Sequence, residues 1–286
     1  MKLVVNAGYD LLGAGGLSLW GDAPAAYRVT AAGRAVLETV VSSLRDRGLT
    51  LIEGDTDGVY FSVPDEWDEA RERALISNLG AELPTGVTLE HDGCWAAMLS
   101  HETKNYALLD HGGRLTLHGA AFWSSRSEAY GVRFLERALT CLLAGDVPGV
   151  RAAYLDTLIR VRERGLTNRD VASRVRLTKM PEAYLAGRGS RKEASYEALV
   201  TGNRTWEAGE RVTLYRREKR GLVVLDDPDG HDYDAPHYAT QLLTSYASRL
   251  RKAISPEDFE AVFAQGAQPL LFARSTESVR TVWKAL

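Results

Sequence analysis

At 286 residues the chain is long enough to bury a substantial core and to hold two domains of ordinary size or one large one. A hydrophobic share of 45% and a charged share of 26% fit a globular protein. No cleavable leader is read at Met1 and no apolar run reaches the roughly 18 residues of a membrane span, so the expected address is the cytoplasm with no membrane partner. Cys94 and Cys141 are too few and too far apart for a disulfide framework or a zinc site, and a net charge of −3 excludes indiscriminate nucleic-acid binding.

Apolar positions start at once in Met1 to Tyr9, the pattern of a helix entered part-way. Leu12 to Gly16 breaks it; the segment follows a helix rather than a strand and lacks dinucleotide and Walker signatures, so a turn is expected there rather than a phosphate loop. Residues 24–47 form a long amphipathic helix, with Val29, Val36, Leu37, Val40, Val41 and Leu44 at helical intervals and Gly48 as its stop.

Leu51 to Val63 reads as an antiparallel hairpin, two apolar runs joined by Gly-Asp-Thr-Asp-Gly. Asp55 and Asp57 then sit at its tip. Like charges so close raise each other's pKa unless a cation lies between them, and a hard oxygen pair suits magnesium. Asp65 to Leu83, after Pro64, is a predicted helix. Val87 to Glu90, Trp95 to Leu99, Asn105 to Leu109 and Arg114 to His118 are predicted strands completing one antiparallel sheet.

From Ser127 the pattern turns helical, with Val132, Leu135, Ala138, Leu139 and Leu142 on one face, and Asp146-Val147-Pro148 starts another helix to about Arg164. Val175 to Lys179 precedes a helix start at Pro181 and a helix from Glu193 to Thr201. Gly209 to Tyr215 reads as a strand, and Tyr233 to Leu243 opens a final long helix. Residues 151–220 hold 17 Lys/Arg against 9 Asp/Glu, leaving 18 against 29 elsewhere. Basic residues concentrated in this way are the footprint of phosphate-backbone contact.

The Gly-Asp-Thr-Asp hairpin resembles the catalytic hairpin of family B DNA polymerases, whose pattern is Tyr-Gly-Asp-Thr-Asp-Ser; Glu53 stands for the Tyr and Gly58 for the Ser. Further matches follow the family's order. Lys2, Asn6 and Tyr9 match its fingers-helix motif Lys-x-x-x-Asn-Ser-x-Tyr-Gly, with Ala7 and Asp10 departing, and fall at i, i+4 and i+7 on one helical face. Thr30-Ala31-Ala32-Gly33-Arg34 resembles Thr-Ala-x-Gly-Arg, a structural element under the palm. Lys104 and Tyr106 match Lys-Lys-x-Tyr, with Thr103 replacing the first Lys. The strand at Gly209 and the Tyr-rich helix ending in Gln-Leu resemble the thumb.

The resemblance implies an α+β fold: residues 1–22 as the end of the fingers helix, 23–122 as palm, and 123–286 as a mostly helical thumb with a few short strands. It implies template-directed nucleotidyl transfer from dNTP to a primer 3′-hydroxyl at a two-Mg2+ site. Asp55 and Asp57 would be catalytic and metal-binding. Lys2, Asn6 and Tyr9 would bind nucleotide; Lys104, Tyr106, Arg176 and Lys179 would hold primer–template DNA, with Glu90 in a supporting place. The family's upstream Asp-x-x-Ser-Leu-Tyr motif, which carries the second catalytic Asp, does not occur among these residues. The chain therefore reads as incomplete alone, a truncation or one half of a split enzyme whose partner supplies that carboxylate. The alternatives are an inactive duplex-DNA-binding module, a metal-dependent nucleotide-sugar transferase, disfavoured because no alternating strand–helix half is present, or a plain α+β protein with accidental matches.

Overall fold

The computed structural model describes residues 2–55, 58–122, 124, 126–264, 276, 279 and 281. The chain divides into two compact units, one built mainly from Met1–Cys94 and the other from Trp95–Trp283. The fold is α+β with antiparallel sheets, as the resemblance implies. Among the described residues no helix is long and apolar enough to cross a membrane.

In the first unit α1 (Lys2–Gly13) leads through a short 3-10 turn (Gly15–Leu17) into α2 (Ala23–Asp46). The start of α2 is chemical: the Asp22 carboxylate accepts from the Ala25 N–H at 2.9 Å, and Pro24 occupies the first turn, where its missing N–H costs nothing. Its end is equally local. Gly48 takes φ +74°, and the Gly48 and Leu49 N–H groups return to Arg45 and Leu44 carbonyls at 2.8 and 3.0 Å. The apolar stripe of α2 buries Val40 and Leu44 against Leu49 and against Leu75 and Leu79 of α3 (Glu69–Ala81). Val59 and Phe61 of a hairpin, β1 (Thr50–Asp55) and β2 (Gly58–Ser62), close over the same core.

The expected strand Val87 to Glu90 is absent. Pro84 and Gly86 fold the chain into a turn there, with Val87 N–H on the Pro84 carbonyl at 3.0 Å and Gly86 at φ +93°. Leu89 is drawn into the first unit's core, which leaves no extended edge to pair. The antiparallel strands accordingly form two separate sheets between residues 50 and 118 where one was expected.

The second unit opens with the meander β3 (Ala97–Glu102), β4 (Asn105–Leu109) and β5 (Leu115–His118). Against it packs α4 (Ala129–Leu143), whose Tyr130, Gly131, Phe134, Leu135, Ala138, Leu139 and Leu142 make one buried face. The antiparallel neighbour α5 (Val147–Arg162) is capped by Asp146 and entered through Pro148. A short α6 (Asn168–Val171), held by a Thr167/Asp170 capping box, leads into β6 (Ser173–Arg176). α7 (Pro181–Gly187) and α8 (Ala194–Thr201) follow, then β7 (Arg211–Arg217) and β8 (Gly221–Val224), which with β6 make a sheet with β7 in the middle.

The helix expected to run on from Tyr233 is instead segmented. It comprises α9 (Ala235–Gln241), one π turn (Leu242–Tyr246) and a 3-10 stretch (Ala247–Ala253), before Ser255 caps α10 (Pro256–Val262). The π turn is what brings Tyr246 inward, where its hydroxyl bonds the Glu128 carboxylate at the mouth of α4.

Tyr154 is fully buried in this core, edge-on to Phe134 and Phe263, and its hydroxyl has no hydrogen-bond partner among the described residues. Burial pushes its pKa up. An unpaired buried hydroxyl forfeits solvation for nothing, so Tyr154→Phe is expected to stabilise the protein by about 1 kcal/mol in urea unfolding. A loss of that size would show that the hydroxyl is partnered.

Candidate nucleotide and nucleic-acid interface

The hairpin geometry is tight. Asp55 ends β1 directly opposite Gly58, which starts β2, with Thr56 and Asp57 between them in the sequence. Those two residues, and the side chain of Asp55, lie outside the described residues. Behind them Glu53, which stands where the resembled motif has Tyr, is buried on β1 opposite Tyr60. A register shift between Leu51 and Glu53 marks a bulge, a device that re-aims side chains beside functional turns.

Along α1 the backbone confirms a helix through Lys2, Asn6 and Tyr9, with the side chain of Lys2 outside the described residues. Asn6 is exposed. The Tyr9 hydroxyl lies 2.8 Å from Thr30 Oγ1 of α2, and since that threonine gives its proton to the Ala26 carbonyl, Tyr9 is the donor. Tyr9 is thereby tied to the Thr-Ala-x-Gly-Arg segment while the residue stays 40% exposed. Glu90 is exposed in the loop that replaces the expected strand.

In the second unit Lys104 occupies a two-residue turn between β3 and β4 in the left-handed region, φ +63°. Asn105 steadies that turn: its Nδ2 donates to the Thr103 carbonyl at 3.0 Å, and its Oδ1 accepts from the Ala121 N–H at 2.8 Å. Tyr106 is largely buried, its ring stacked on its cross-strand partner His118 at 4.6 Å. Lys104 is an exposed turn residue, whereas one face of the Tyr106 ring is already covered.

Much of the basic segment is internally answered. Arg164 pairs with Glu218, Arg204 with Glu210, and Arg217 with Asp232. Lys179 gives its ammonium to Glu193 at 2.6 Å, which holds that carboxyl below its ordinary range. Arg188 grips Glu197 with two N–H groups at 2.8 Å, and with the Tyr184 hydroxyl holds that carboxyl down to about 2. Arg176 is different. It stands on the exposed face of β6 with Arg174, directly across from Arg211 on β7, and the three line a cleft of about 260 Å³ with Arg126 from the loop before α4. Arg126, Arg174 and Arg211 are site candidates that the sequence reading passed over. The available signal was the Arg-x-Arg alternation around the inward Val175, matched by Arg211 before the buried Val212.

The chain matches no protein-family model. It is 32% identical over 248 residues to a DNA polymerase of Pyrococcus horikoshii, covering 82% of this chain and 20% of that protein. It is 26% identical over 275 residues to DNA polymerase 1 of Aeropyrum pernix, covering 92% of this chain and 28% of that one. The chain thus spans between a fifth and a third of the length of these two relatives. Its fold superposes on the family B DNA polymerase of Pyrobaculum calidifontis with a TM-score of 0.65 at 21% identity, over 89% of this chain and 33% of that structure. Sequence and fold together relate this chain to one segment of the family B DNA polymerases.

Proposed function

We propose that the chain is the palm-and-thumb portion of a template-directed DNA polymerase, acting on primer–template DNA and dNTP in the cytoplasm and completed by a polymerase segment outside this sequence. The observation that carries the reading is the register of the hairpin, which pairs Asp55, the last residue of β1, with Gly58, the first of β2, across the hairpin turn. Hard carboxylate oxygens paired at such a turn fit Mg2+, and among the described residues no group of three or more His, Cys, Asp or Glu offers another metal site. Asp55 and Asp57 would hold the metal, with a second carboxylate from the missing segment. When bound, the metal pair lowers the barrier by activating the primer 3′-hydroxyl and neutralising triphosphate charge.

The chain's own residues bind and orient. Lys2 meets the triphosphate as a point charge, Asn6 and Tyr9 line the nucleotide on the same face of α1, and the Thr30 bond fixes the swing of Tyr9. Lys104 and Tyr106 contact the primer–template near its end, and Arg176 contacts backbone phosphates further along, while Lys179, the other residue expected there, is held by Glu193. Residues 1–22, 23–122 and 123–286 are then fingers end, palm and thumb.

The test is primer extension and DNA binding by the purified chain with Mg2+ and four dNTPs, beside Asp55→Asn. The expected result is binding of primer–template by both, equal within about twofold because a hairpin-tip carboxylate makes no favourable phosphate contact, and extension by neither alone. Extension by the chain alone would overturn its incompleteness. Absence of primer–template binding would overturn the polymerase reading. A second reading, a DNA-holding module without chemistry, is favoured by the arginine cleft, which does not involve the hairpin. Extension restored by adding a family B segment that carries the missing motif, and lost again with Asp55→Asn, separates the two.

A further inference from the structure

The helical hairpin that opens the first unit stands outside that unit's core. Its helices are tied by the Tyr9 and Thr30 hydroxyls and by the Asp22 N–H, which donates to the Leu12 carbonyl at 3.0 Å. Yet no residue from Asn6 to Ala25 is buried, and the core takes nothing from α2 before Val40. Of the eleven large apolar side chains exposed among the described residues, six fall between Leu11 and Val29, so the exposure is concentrated rather than scattered. Leu17, Leu19 and Trp20 stand at 97%, 101% and 74% exposure, and Leu11, Tyr27 and Val29 flank them on the two helices.

These groups are held out by a closed connector, not by a loose tail. Leu17 N–H donates to the Ala14 carbonyl at 3.2 Å, Gly21 N–H to the Ser18 carbonyl at 3.1 Å, and Trp20 N–H to Ser18 Oγ at 3.1 Å. A Cβ at Gly21 would overlap the Gly15 carbonyl, so the chain crosses itself there at glycine distance. α1 has 12 residues, a length at which a helix that buries nothing is marginal in water. Its apolar surroundings need a cover.

The six side chains expose on the order of 800 Å², beyond the roughly 300–600 Å² of the largest patch on an ordinary monomer and equal to one partner's share of a standard interface. That area suffices for a stable dimer. Between Leu11 and Val29 the only charges are Asp22 and Arg28. A neutral surface offers no attraction to nucleic acid or to an anionic lipid face, and two copies of it do not repel. Two helical hairpins closed about a twofold axis make a four-helix bundle in which both copies bury the same patch.

We infer that the connector, with Leu11 of α1 and Tyr27 and Val29 of α2, is the interface of a homodimer, and that Trp20 is its aromatic anchor. Leu11 lies on the opposite side of α1 from Lys2, Asn6 and Tyr9, so the dimer leaves that face open. The inference does not depend on the polymerase reading.

The experiment is sedimentation velocity of the full chain across a wide concentration range. It compares the wild type with Leu17→Ser/Leu19→Ser/Trp20→Ser, with Trp20→Ser and with Tyr27→Lys, each checked for fold by circular dichroism. None of these side chains belongs to a core cluster, and Tyr27→Lys keeps a good helix former on an exposed position. The wild type is expected to sediment as a dimer and the triple variant as a monomer. Trp20→Ser alone should weaken association by about thirtyfold or more, the loss of an aromatic hot spot. Hydrogen exchange gives a second readout: the amides of α1 should be protected in the dimer and lose protection on dilution and in Tyr27→Lys, whatever the fate of the triple variant. A wild type that stays monomeric at all concentrations overturns the inference, as does a dimer that Tyr27→Lys and Trp20→Ser leave intact. Mass that climbs past the dimer without limit overturns a closed twofold interface. A monomer whose α1 amides gain protection only on adding a family B segment assigns the patch to that segment, which overturns the homodimer and leaves the polymerase reading standing.

Discussion

Gly131→Ala is expected to destabilise the protein by about 3 kcal/mol, at the upper end of ordinary overpacking. A Cβ built at this position, on the buried face of α4, overlaps the ring of Tyr246. The ring has nowhere to go. Its hydroxyl donates to the Glu128 carboxylate and accepts from the Glu128 N–H at 3.0 Å, Tyr130 stands edge-on 5.7 Å away, and Arg249 lies 4.9 Å over it. Relief therefore requires breaking the bonds at the start of α4 or straightening the π turn that delivers Tyr246. Urea denaturation should show the midpoint falling with an unchanged slope. In a Tyr246→Leu background the same substitution should cost far less, because residues in contact couple. A cost under about 0.5 kcal/mol in the wild-type background would show that the contact relaxes freely.

Trp206→Ala is the second large effect, expected to cost about 3–5 kcal/mol. Trp206 is almost fully buried with Tyr184 and Tyr196, at ring separations of 6.3 and 5.6 Å, in a core distinct from that of α4 and α5. It also anchors chain: its Nε1–H donates to the Lys179 carbonyl at 3.0 Å, while the Tyr196 hydroxyl accepts from the Thr178 and Lys179 N–H groups at 2.9 and 3.0 Å. Those bonds fix the segment leaving β6, and Val175 of β6 packs on the same core. Loosening it should blur the arginine face as well as lower stability, so primer–template affinity is expected to fall even where the variant is still folded. Trp206→Phe keeps most of the apolar area and loses the single bond, for a cost nearer 1–2 kcal/mol. Comparable costs for the two would mean that the hydrogen bond, not the packing, dominates.

The elements most legible in the sequence were those whose ends are chemical. Asp22, Pro24 and Gly48 delimit α2 through side-chain caps and a left-handed turn, and Gly-Asp-Thr-Asp-Gly between apolar runs marks the hairpin of β1 and β2. Both depend on interactions within a few residues. The face of α4 was readable for the same reason, since a helical period records which side is buried. Val87 to Glu90 misled because a short apolar run looks alike whether it pairs or merely lends one side chain to a core, and here Leu89 does the latter. The break after Gln241 is equally silent: residues 242–253 have helical composition, and the π turn places Tyr246 on Glu128, far away in sequence.

For the candidate site, the sequence by itself determined the chemistry on offer, a pair of aspartates at a turn, a Lys/Asn/Tyr helical face and a basic stretch. Only the tertiary structure decided which charges of that stretch remain for a ligand. It answers Lys179 with Glu193 and Arg188 with Glu197, and it gathers Arg126, Arg174, Arg176 and Arg211 around one cleft. Net charge is additive along a chain and can be counted, but pairing depends on which side chains packing brings within a few ångströms, and no period or local spacing encodes that.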